Sequence, residues 1–304
     1  MRGGVKTVKP WAAVIGSPIN HSLSPVLHTT AYQLLDLDWE YRSFHVEPAD
    51  LASFVANLEG QCVGLSVTAP LKRELVSLAD AVDGLAKLVV SANTLVRAAG
   101  MNAAFNTDVQ GIVDAVLPFV KEALQARPLR LDPAEEEGLR GILAGSPPPV
   151  IVGTGATACS ALAAVRSLGA SRAIVVGRSF AGKHNAFAVG TRMGMIIDPL
   201  LWKVADRSLL DLDRAPLVIS TVPPAVTADL AALLRPSAFS TLLDVTYAHG
   251  ATPLEEAFSA RGAGVASPLA MLTHQGIAQV KLWTNRDVPF EPVYRAVCEG
   301  AATR

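Results

Sequence analysis

The stretch Pro149-Val150-Ile151-Val152-Gly153-Thr154-Gly155-Ala156-Thr157-Ala158-Cys159-Ser160 constrains this chain more than any other. Val150 to Val152 are β-branched in succession and have the character of a fully buried strand. They end on glycines and run into an alanine-rich segment of helical periodicity. Strand, tight turn and helix in immediate sequence make the unit from which doubly wound α/β sheets are built. Such a turn lets a pyrophosphate approach bare backbone at Gly155 and rest on the unpaired N–H groups and positive dipole end of the next helix. Ala158 holds the third position of a G-x-G-x-x-G/A pattern and is small enough for the helix to pack closely on the sheet. Similar turns occur in α/β domains that bind nothing, so nucleotide binding needs support from elsewhere in the chain.

With 304 residues, half of them apolar, the chain can bury a sizeable core and suits two domains of about 150 residues each. A formal net charge of -1 with dispersed charges leaves no basic field for nucleic acid. Cys62, Cys159 and Cys298 lie far apart with no CxxC pair, which fits a reducing compartment, and the histidines lack metal-ligand spacing. No metal is expected. The uncharged run Gly141 to Val165 is long enough to suggest a membrane span, but Pro147-Pro148-Pro149 and the turn glycines divide it. At the N-terminus, Trp11 to Ile15 is too short for the apolar core of a signal peptide. A cytoplasmic protein is expected.

Strands and helices alternate through the first half. Trp11 to Gly16 reads as a buried strand. Ser24-Pro25 has the form of an N-cap and first helical residue, opening a helix to about Leu35. Ser22 and Ser24 can bind an anion at that helix start, or can merely fill a turn and cap. Glu40 to Val46 alternates like a strand, Pro48 to Leu58 reads as a helix, and Cys62 to Val67 as a third strand. The turn Ser66-Val67-Thr68-Ala69-Pro70-Leu71-Lys72 follows, with Lys72 expected in the first turn of the next helix. A cation there opposes the helix dipole. Lys72 is open to two readings: a solvated surface charge, or a proton-exchanging group in a water-poor site. Ser91 to Val96 reads as a strand interrupted by Asn93, and Asn102 to Phe105 as a short strand. Asp108 then opens the helix Val109 to Val120, either as a dipole-compatible start or as a carboxylate that orients Lys72.

These residues carry a family likeness. In order along the chain stand Gly16-Ser17-Pro18-Ile19-Asn20-His21-Ser22-Leu23-Ser24-Pro25, Ser66-Val67-Thr68-Ala69-Pro70-Leu71-Lys72, Ala92-Asn93-Thr94, Asn106-Thr107-Asp108 with Gly111, the glycine turn, and Met271-Leu272-Thr273-His274-Gln275. The chain resembles the shikimate dehydrogenases, which reduce 3-dehydroshikimate to shikimate with NADPH in the shikimate pathway, toward chorismate and the aromatic amino acids. The resemblance implies that Ser22 and Ser24 hold the substrate carboxylate. It implies that Thr68, Asn93, Tyr247 and Gln275 bind ring hydroxyls, and that Lys72 and Asp108 form the catalytic pair. Chemistry makes this sensible, because hydride transfer to a ketone needs a group that gives the hydroxyl proton and a frame that fixes the reacting carbon.

The second half supplies the nucleotide argument. Arg172 to Val176 reads as the second strand of a dinucleotide fold and is followed by Gly177-Arg178-Ser179. An arginine at this point can accept the 2′-phosphate of NADP where an acidic residue would bind the 2′-OH of NAD. Gly177 and Ser179 stand where the family often has polar partners, and Lys183 is the nearest further cation. Leu217 to Thr221 and Thr241 to Val245 read as the third and fourth strands. Thr221 falls near the expected nicotinamide position, and Tyr247 at the carboxyl end of the fourth. A short strand near Val265 precedes a helix from Pro268 to about Trp283 that carries Gln275, and a last helix is expected near Pro292 to Gly300.

The expected architecture is an α/β protein of two domains with chemistry in the cleft between them. Residues 1–120 would form the substrate-binding and catalytic domain, with helices from about 268–304 packing back on it. Residues 121–148, rich in proline and glutamate, would form a linker or insertion with room for an added helix, and 149–267 a Rossmann-like NADP-binding domain. The cofactor binders would be Gly153, Thr154, Gly155, Ala156, Arg178, Ser179, Lys183 and Thr221. The partners expected are a small-molecule substrate and NADP, without nucleic acid or membrane, for a monomer or homodimer. A quinate or quinate/shikimate dehydrogenase using NAD is the nearest alternative, and a non-catalytic nucleotide or metabolite sensor is a more distant one. Arg178 speaks against NAD, and the presence of both Lys72 and Asp108 against a sensor.

Overall fold

The computed structural model describes residues 9–125, 141–202, 213–247 and 250–303. The chain is mixed α/β and divides into two compact units. One comprises Met1–Lys87, Ser91–Thr107 and Gln275–Arg304, the other Leu88–Val90 and Asp108–His274.

The chain up to Phe105 forms β1 (Trp11–Gly16), α1 (Ser24–Leu34), β2 (Glu40–His45), α2 (Leu51–Ala56), β3 (Cys62–Val67), α3 (Glu74–Leu78), β4 (Ala81–Val82), α4 (Gly84–Val89), β5 (Thr94–Ala98) and β6 (Met101–Phe105). The six strands make one sheet in the order β2-β1-β3-β5-β6-β4. All six residues of β1 are buried, and the strand runs parallel to both neighbours, β2 and β3. A strand covered on both faces and flanked by parallel partners tolerates a continuous apolar run. β5 and β6 are antiparallel for a local reason: Ala99 and Gly100 both take positive φ, 52° and 79°, as a two-residue primed turn requires. The core beneath this sheet includes Ile15, Leu65, Leu71, Leu75 and Leu95. Each such fully buried aliphatic contributes about 1.5–3 kcal/mol.

The other unit holds α5 (Asp108–Gln125), β7 (Val150–Val152), α6 (Ala156–Ser167), β8 (Arg172–Gly177), α7 (Ala186–Arg192), β9 (Ile196–Leu201), β10 (Leu217–Ser220), α8 (Pro224–Leu233), β11 (Thr241–Asp244), α9 (Pro253–Ser259) and β12 (Gly264–Ala266). Its sheet is parallel throughout in the order β12-β11-β10-β7-β8-β9. This is the doubly wound order, reversing direction between β7 and β10, where such sheets bind ligands at their carboxyl ends. Two helices complete the chain, α10 (Pro268–Thr284) and α11 (Phe290–Ala302). α10 passes from the second unit to the first at His274–Gln275. α11 packs on α1, burying Val293 and Val297, and Gly300 lets Val26 come close.

Several local expectations need correction. Leu23, not Ser24, occupies the cap position of α1, without a side-chain cap, and Ser24 is the first helical residue. Lys72 lies in a turn ahead of α3 rather than in its first turn, so the argument from an opposed helix dipole lapses. Asn93 precedes β5 instead of interrupting it. The segment Pro48 to Leu58 splits into a 3-10 turn, Pro48–Asp50, and the short α2. β9 was not among the strands read from the sequence; it carries Pro199, which is tolerated on an edge strand whose only neighbour among the described residues is β8. β10 and β11 are therefore the fourth and fifth strands of their sheet in chain order. The two compact units divide the chain at Thr107–Asp108, with α5 in the second. Of the segment 121–148, in which an added helix was expected, α5 takes the part up to Gln125, 126–140 lie outside the described residues, and 141–148 are turns and irregular chain.

Candidate active site

The first group of polar side chains gathers at the carboxyl ends of β1 and β3. Their following turns, each with a cis X-Pro bond at Ser17–Pro18 and Ala69–Pro70, are tied by the Ser17 N–H donating to the Ala69 carbonyl at 3.1 Å. Ser22 and Ser24 are both buried, and the Ser22 hydroxyl accepts the Ser24 N–H at 3.3 Å. The two hydroxyls thus sit together at the start of an eleven-residue helix. Thr68 is half-buried, and its N–H donates to the Ile15 carbonyl at 3.0 Å. Lys72 is also half-buried, and its carbonyl accepts the Ala92 N–H at 2.8 Å. That bond ties the turn bearing Lys72 to the segment bearing Asn93.

Asn93 is the centre of a buried polar cluster. Its Oδ1 accepts the Thr107 backbone N–H at 2.8 Å and the Thr94 hydroxyl at 3.0 Å. Its Nδ2 donates to Thr107 Oγ1 at 2.9 Å and to Gln275 Oε1 at 3.0 Å. The structure therefore joins two predicted site residues from distant parts of the sequence, one before β5 and one on α10. Gln279, which the sequence reading missed, is almost fully buried and donates to the Asn93 carbonyl and to Thr94 Oγ1, both at 3.0 Å. Its place four residues beyond Gln275, on the same helical face, was the available signal. Ser66 donates to Gln279 Oε1 at 2.6 Å and accepts from Tyr41 at 2.6 Å. Tyr41 stacks on His28 at 4.1 Å between ring centroids. Burial lowers the His28 pKa to about 4 and pushes the Tyr41 phenol well above its ordinary range, so both are neutral at physiological pH. Gly64 lets the α10 residue Trp283 lie against the sheet: a Cβ there would come within 2.3 Å of the Leu95 carbonyl, the oxygen that accepts the indole N–H.

In the second unit Asp108, buried, is the first residue of α5 and directly follows Thr107. Tyr247 lies past the carboxyl end of β11 and is half-buried. Just before it, Asp244 is buried, and desolvation raises its carboxyl pKa although the Thr246 hydroxyl donates to it at 2.9 Å.

The glycine turn has two different glycines. Gly153 has φ of 120°, and a Cβ there would strike Thr221 Oγ1, which itself donates to the Val152 carbonyl at 2.9 Å. Gly155 caps α6, and a Cβ built on it meets nothing within 4 Å. Backbone is thus uncovered at the start of a twelve-residue helix, the kind of place at which phosphates bind, and Thr154 and Ala156 flank it. Gly177 is required by contact, since its Cβ would meet Thr154 Cγ2. Arg178, Ser179 and Lys183 are exposed beyond the end of β8, the Ser179 hydroxyl accepting the Ala181 N–H at 3.1 Å. Among the described residues no helix is long and apolar enough to cross a membrane.

Comparison with known proteins adds to this geometry. A family model described as the shikimate dehydrogenase substrate binding domain matches residues 14–95, and one described as the shikimate 5′-dehydrogenase C-terminal domain matches 269–298. The shikimate dehydrogenase (NADP(+)) of Geobacter sp. strain M21 is 32% identical over 297 residues, covering 95% of this chain and 95% of that protein. The pentafunctional AROM polypeptide of Yarrowia lipolytica is 29% identical over 299 residues; this chain is matched over 93% of its length but spans only 17% of that polypeptide. The crystal structure of Mycobacterium tuberculosis shikimate dehydrogenase superposes with a TM-score of 0.79 at 33% identity, covering 94% of this chain and 99% of the other.

Proposed function

The chain belongs to the shikimate dehydrogenase family, and from that premise we propose that it catalyses the reversible NADPH-dependent reduction of 3-dehydroshikimate to shikimate. The unit built on β1 to β6 takes the substrate, and the unit built on β7 to β12 takes the cofactor. Ser22 and Ser24 hold the carboxylate through their hydroxyls at the start of α1. Thr68, Asn93, Gln275 and Tyr247 bind the ring hydroxyls. Lys72 and Asp108 are the proton-transfer pair: the lysine is a donor for the alkoxide, and the carboxylate holds its position and charge state.

NADPH, when bound, supplies the hydride. Backbone N–H groups at Gly153, Thr154, Gly155 and Ala156 would hold its pyrophosphate. Arg178, Ser179 and Lys183 would hold the 2′-phosphate, with Thr221 near the nicotinamide. The three cysteines are free thiols, in keeping with a cytoplasmic location.

The Asn93–Gln275 amide pair carries this reading on the substrate side. Two residues far apart in sequence converge on one buried contact and present directional hydrogen bonds, as recognition of a polyhydroxylated ring requires. The test is the initial rate of nicotinamide reduction with shikimate or quinate, each offered with NADP or NAD. Turnover confined largely to shikimate with NADP is expected. Preference for quinate or NAD would keep the chemistry and change the substrate or cofactor assignment. Silence in all four, with nucleotide binding intact, would replace the enzyme with a sensor.

A further inference from the structure

We infer that Gln279 is a positioning residue of this site, the central link in a one-way chain of hydrogen bonds that presets Gln275 to address substrate through its amide N–H₂; the inference rests on the assignment of Asn93 and Gln275 to the ring hydroxyls. The chain runs from Tyr41 Oη to Ser66 Oγ, from Ser66 Oγ to Gln279 Oε1, and from Gln279 Nε2 to Thr94 Oγ1. It continues from Thr94 Oγ1 to Asn93 Oδ1 and from Asn93 Nδ2 to Gln275 Oε1. Every donor hands on to an acceptor in the same sense, at 2.6, 2.6, 3.0, 3.0 and 3.0 Å.

The direction is not arbitrary, because backbone groups fix both internal amides. The Asn93 carbonyl can only accept, so the end of Gln279 that meets it is Nε2. The Thr107 N–H can only donate, so the end of Asn93 that meets it is Oδ1. With both amides fixed, Asn93 Nδ2 must face Gln275, and Gln275 answers with its carbonyl oxygen and turns its N–H₂ away. The chain begins at the half-buried Tyr41, whose ring stacks on the fully buried His28. Bonds aligned head to tail polarise one another, so a break in the middle is felt at the far end. Gln279 is the only member that both receives from the Tyr41–Ser66 side and donates to the Asn93 side. After its loss the Thr107 N–H would still orient Asn93 Oδ1, but the Asn93 carbonyl and Thr94 Oγ1 would lose their donor, so the segment that carries Asn93 against Gln275 would be held less firmly.

Gln279→Met keeps side-chain length and helix propensity and removes both amide functions. Ser66→Ala removes the neighbouring link without adding bulk and serves should the methionine variant fold poorly. The expected result for each is a KM for shikimate raised about tenfold or more, with the KM for NADP within about twofold and kcat changed less. A residue that merely supports the fold would lower Tm and leave the KM for shikimate unchanged, and that result overturns the inference. Solvent exchange of the side-chain amide protons of Asn93 and Gln275, followed by NMR without substrate, decides the matter independently of activity. Faster exchange in Gln279→Met than in the natural chain supports the relay, and equal exchange overturns it. Should the natural protein fail to oxidise shikimate, the functional assignment falls while the exchange result still settles the role of Gln279 in ordering the pair.

Discussion

The two sheets of this protein prepare for ligands in opposite ways. On the mixed sheet, the residues proposed to take the substrate are buried and already hydrogen-bonded: the Ser22 hydroxyl to the Ser24 N–H, and Asn93 to Thr107, Gln275 and, through Thr94, Gln279. On the parallel sheet, what is proposed to take the cofactor is backbone that is bare at Gly155 and the exposed side chains Arg178, Ser179 and Lys183. A small polyhydroxylated ring offers few contacts, and each must be aimed, so orientation is fixed in advance by a hydrogen-bonded interior. A dinucleotide offers phosphate charge that a helix terminus and long cationic side chains attract with less need of exact placement.

The largest effect should come where chemistry rather than binding is removed. Lys72→Ala is expected to lower kcat by about 10²–10⁴, the usual worth of a positioned acid or base, while the KM for shikimate changes much less. A variant with near-normal turnover in steady-state assays would take Lys72 out of the mechanism. The buried polar interior should next reveal itself in the pH dependence of folding. The His28 pKa falls from 6.5 to about 4 on burial, so between those values the unfolded chain binds a proton that the native chain refuses. Stability is then complete above the unfolded value and declines as pH falls toward the native one, by about 3 kcal/mol in all. Urea unfolding across this range should show that slope, and His28→Phe, which keeps an aromatic ring against Tyr41, should flatten it. An unchanged slope would mean another group titrates.

On the parallel sheet the two glycines of the turn should part company. Gly153→Ala forces an L-residue into φ of 120° and onto Thr221, and should cost about 1–3 kcal/mol in thermal unfolding. Gly155→Ala meets nothing in the protein, should leave stability within about 0.5 kcal/mol, and should raise the KM for NADP by obstructing backbone approach. Equal losses of stability in the two would dissolve the distinction. The smallest effect belongs to Arg178, exposed and screened. Arg178→Gln should reduce the preference for NADP over NAD by about tenfold, or about 1.4 kcal/mol, read as a ratio of kcat/KM values with shikimate unchanged. No change in that ratio would remove Arg178 from phosphate recognition.

Much of this was legible in the chain before its fold was known. β1 and β3 begin and end where their apolar runs do, and the glycine turn marks β7 and α6. These are local signals: β-branched runs and glycines act over a few residues, and their physics does not depend on the rest of the molecule. β9 was hidden because Pro199 breaks a strand pattern on local grounds, and only a place at the sheet edge excuses it. α9 was passed over although Thr252-Pro253-Leu254-Glu255 spells a capping box, and Thr252 and Glu255 do exchange the two bonds of that motif. Leu23 displaced Ser24 at the cap of α1 because the Ser22 hydroxyl takes the Ser24 N–H.

The groups on which the proposed chemistry rests, a glycine turn and a set of hydroxyl, amide, lysine and aspartate side chains in family order, are written in residue types and short spacings. A chain of amino acids therefore states them directly. Which amide faces which is written nowhere in one dimension. Asn93 and Gln275 meet only because α10 returns across the sheet, with Trp283 seated over Gly64. The sense of every hydrogen bond between Tyr41 and Gln275 follows from two backbone groups, the Asn93 carbonyl and the Thr107 N–H, whose directions exist only once the chain has folded around them. Hydrogen bonds are directional and short-ranged, so their pattern belongs to the packed interior, whereas the residues that make them belong to the sequence.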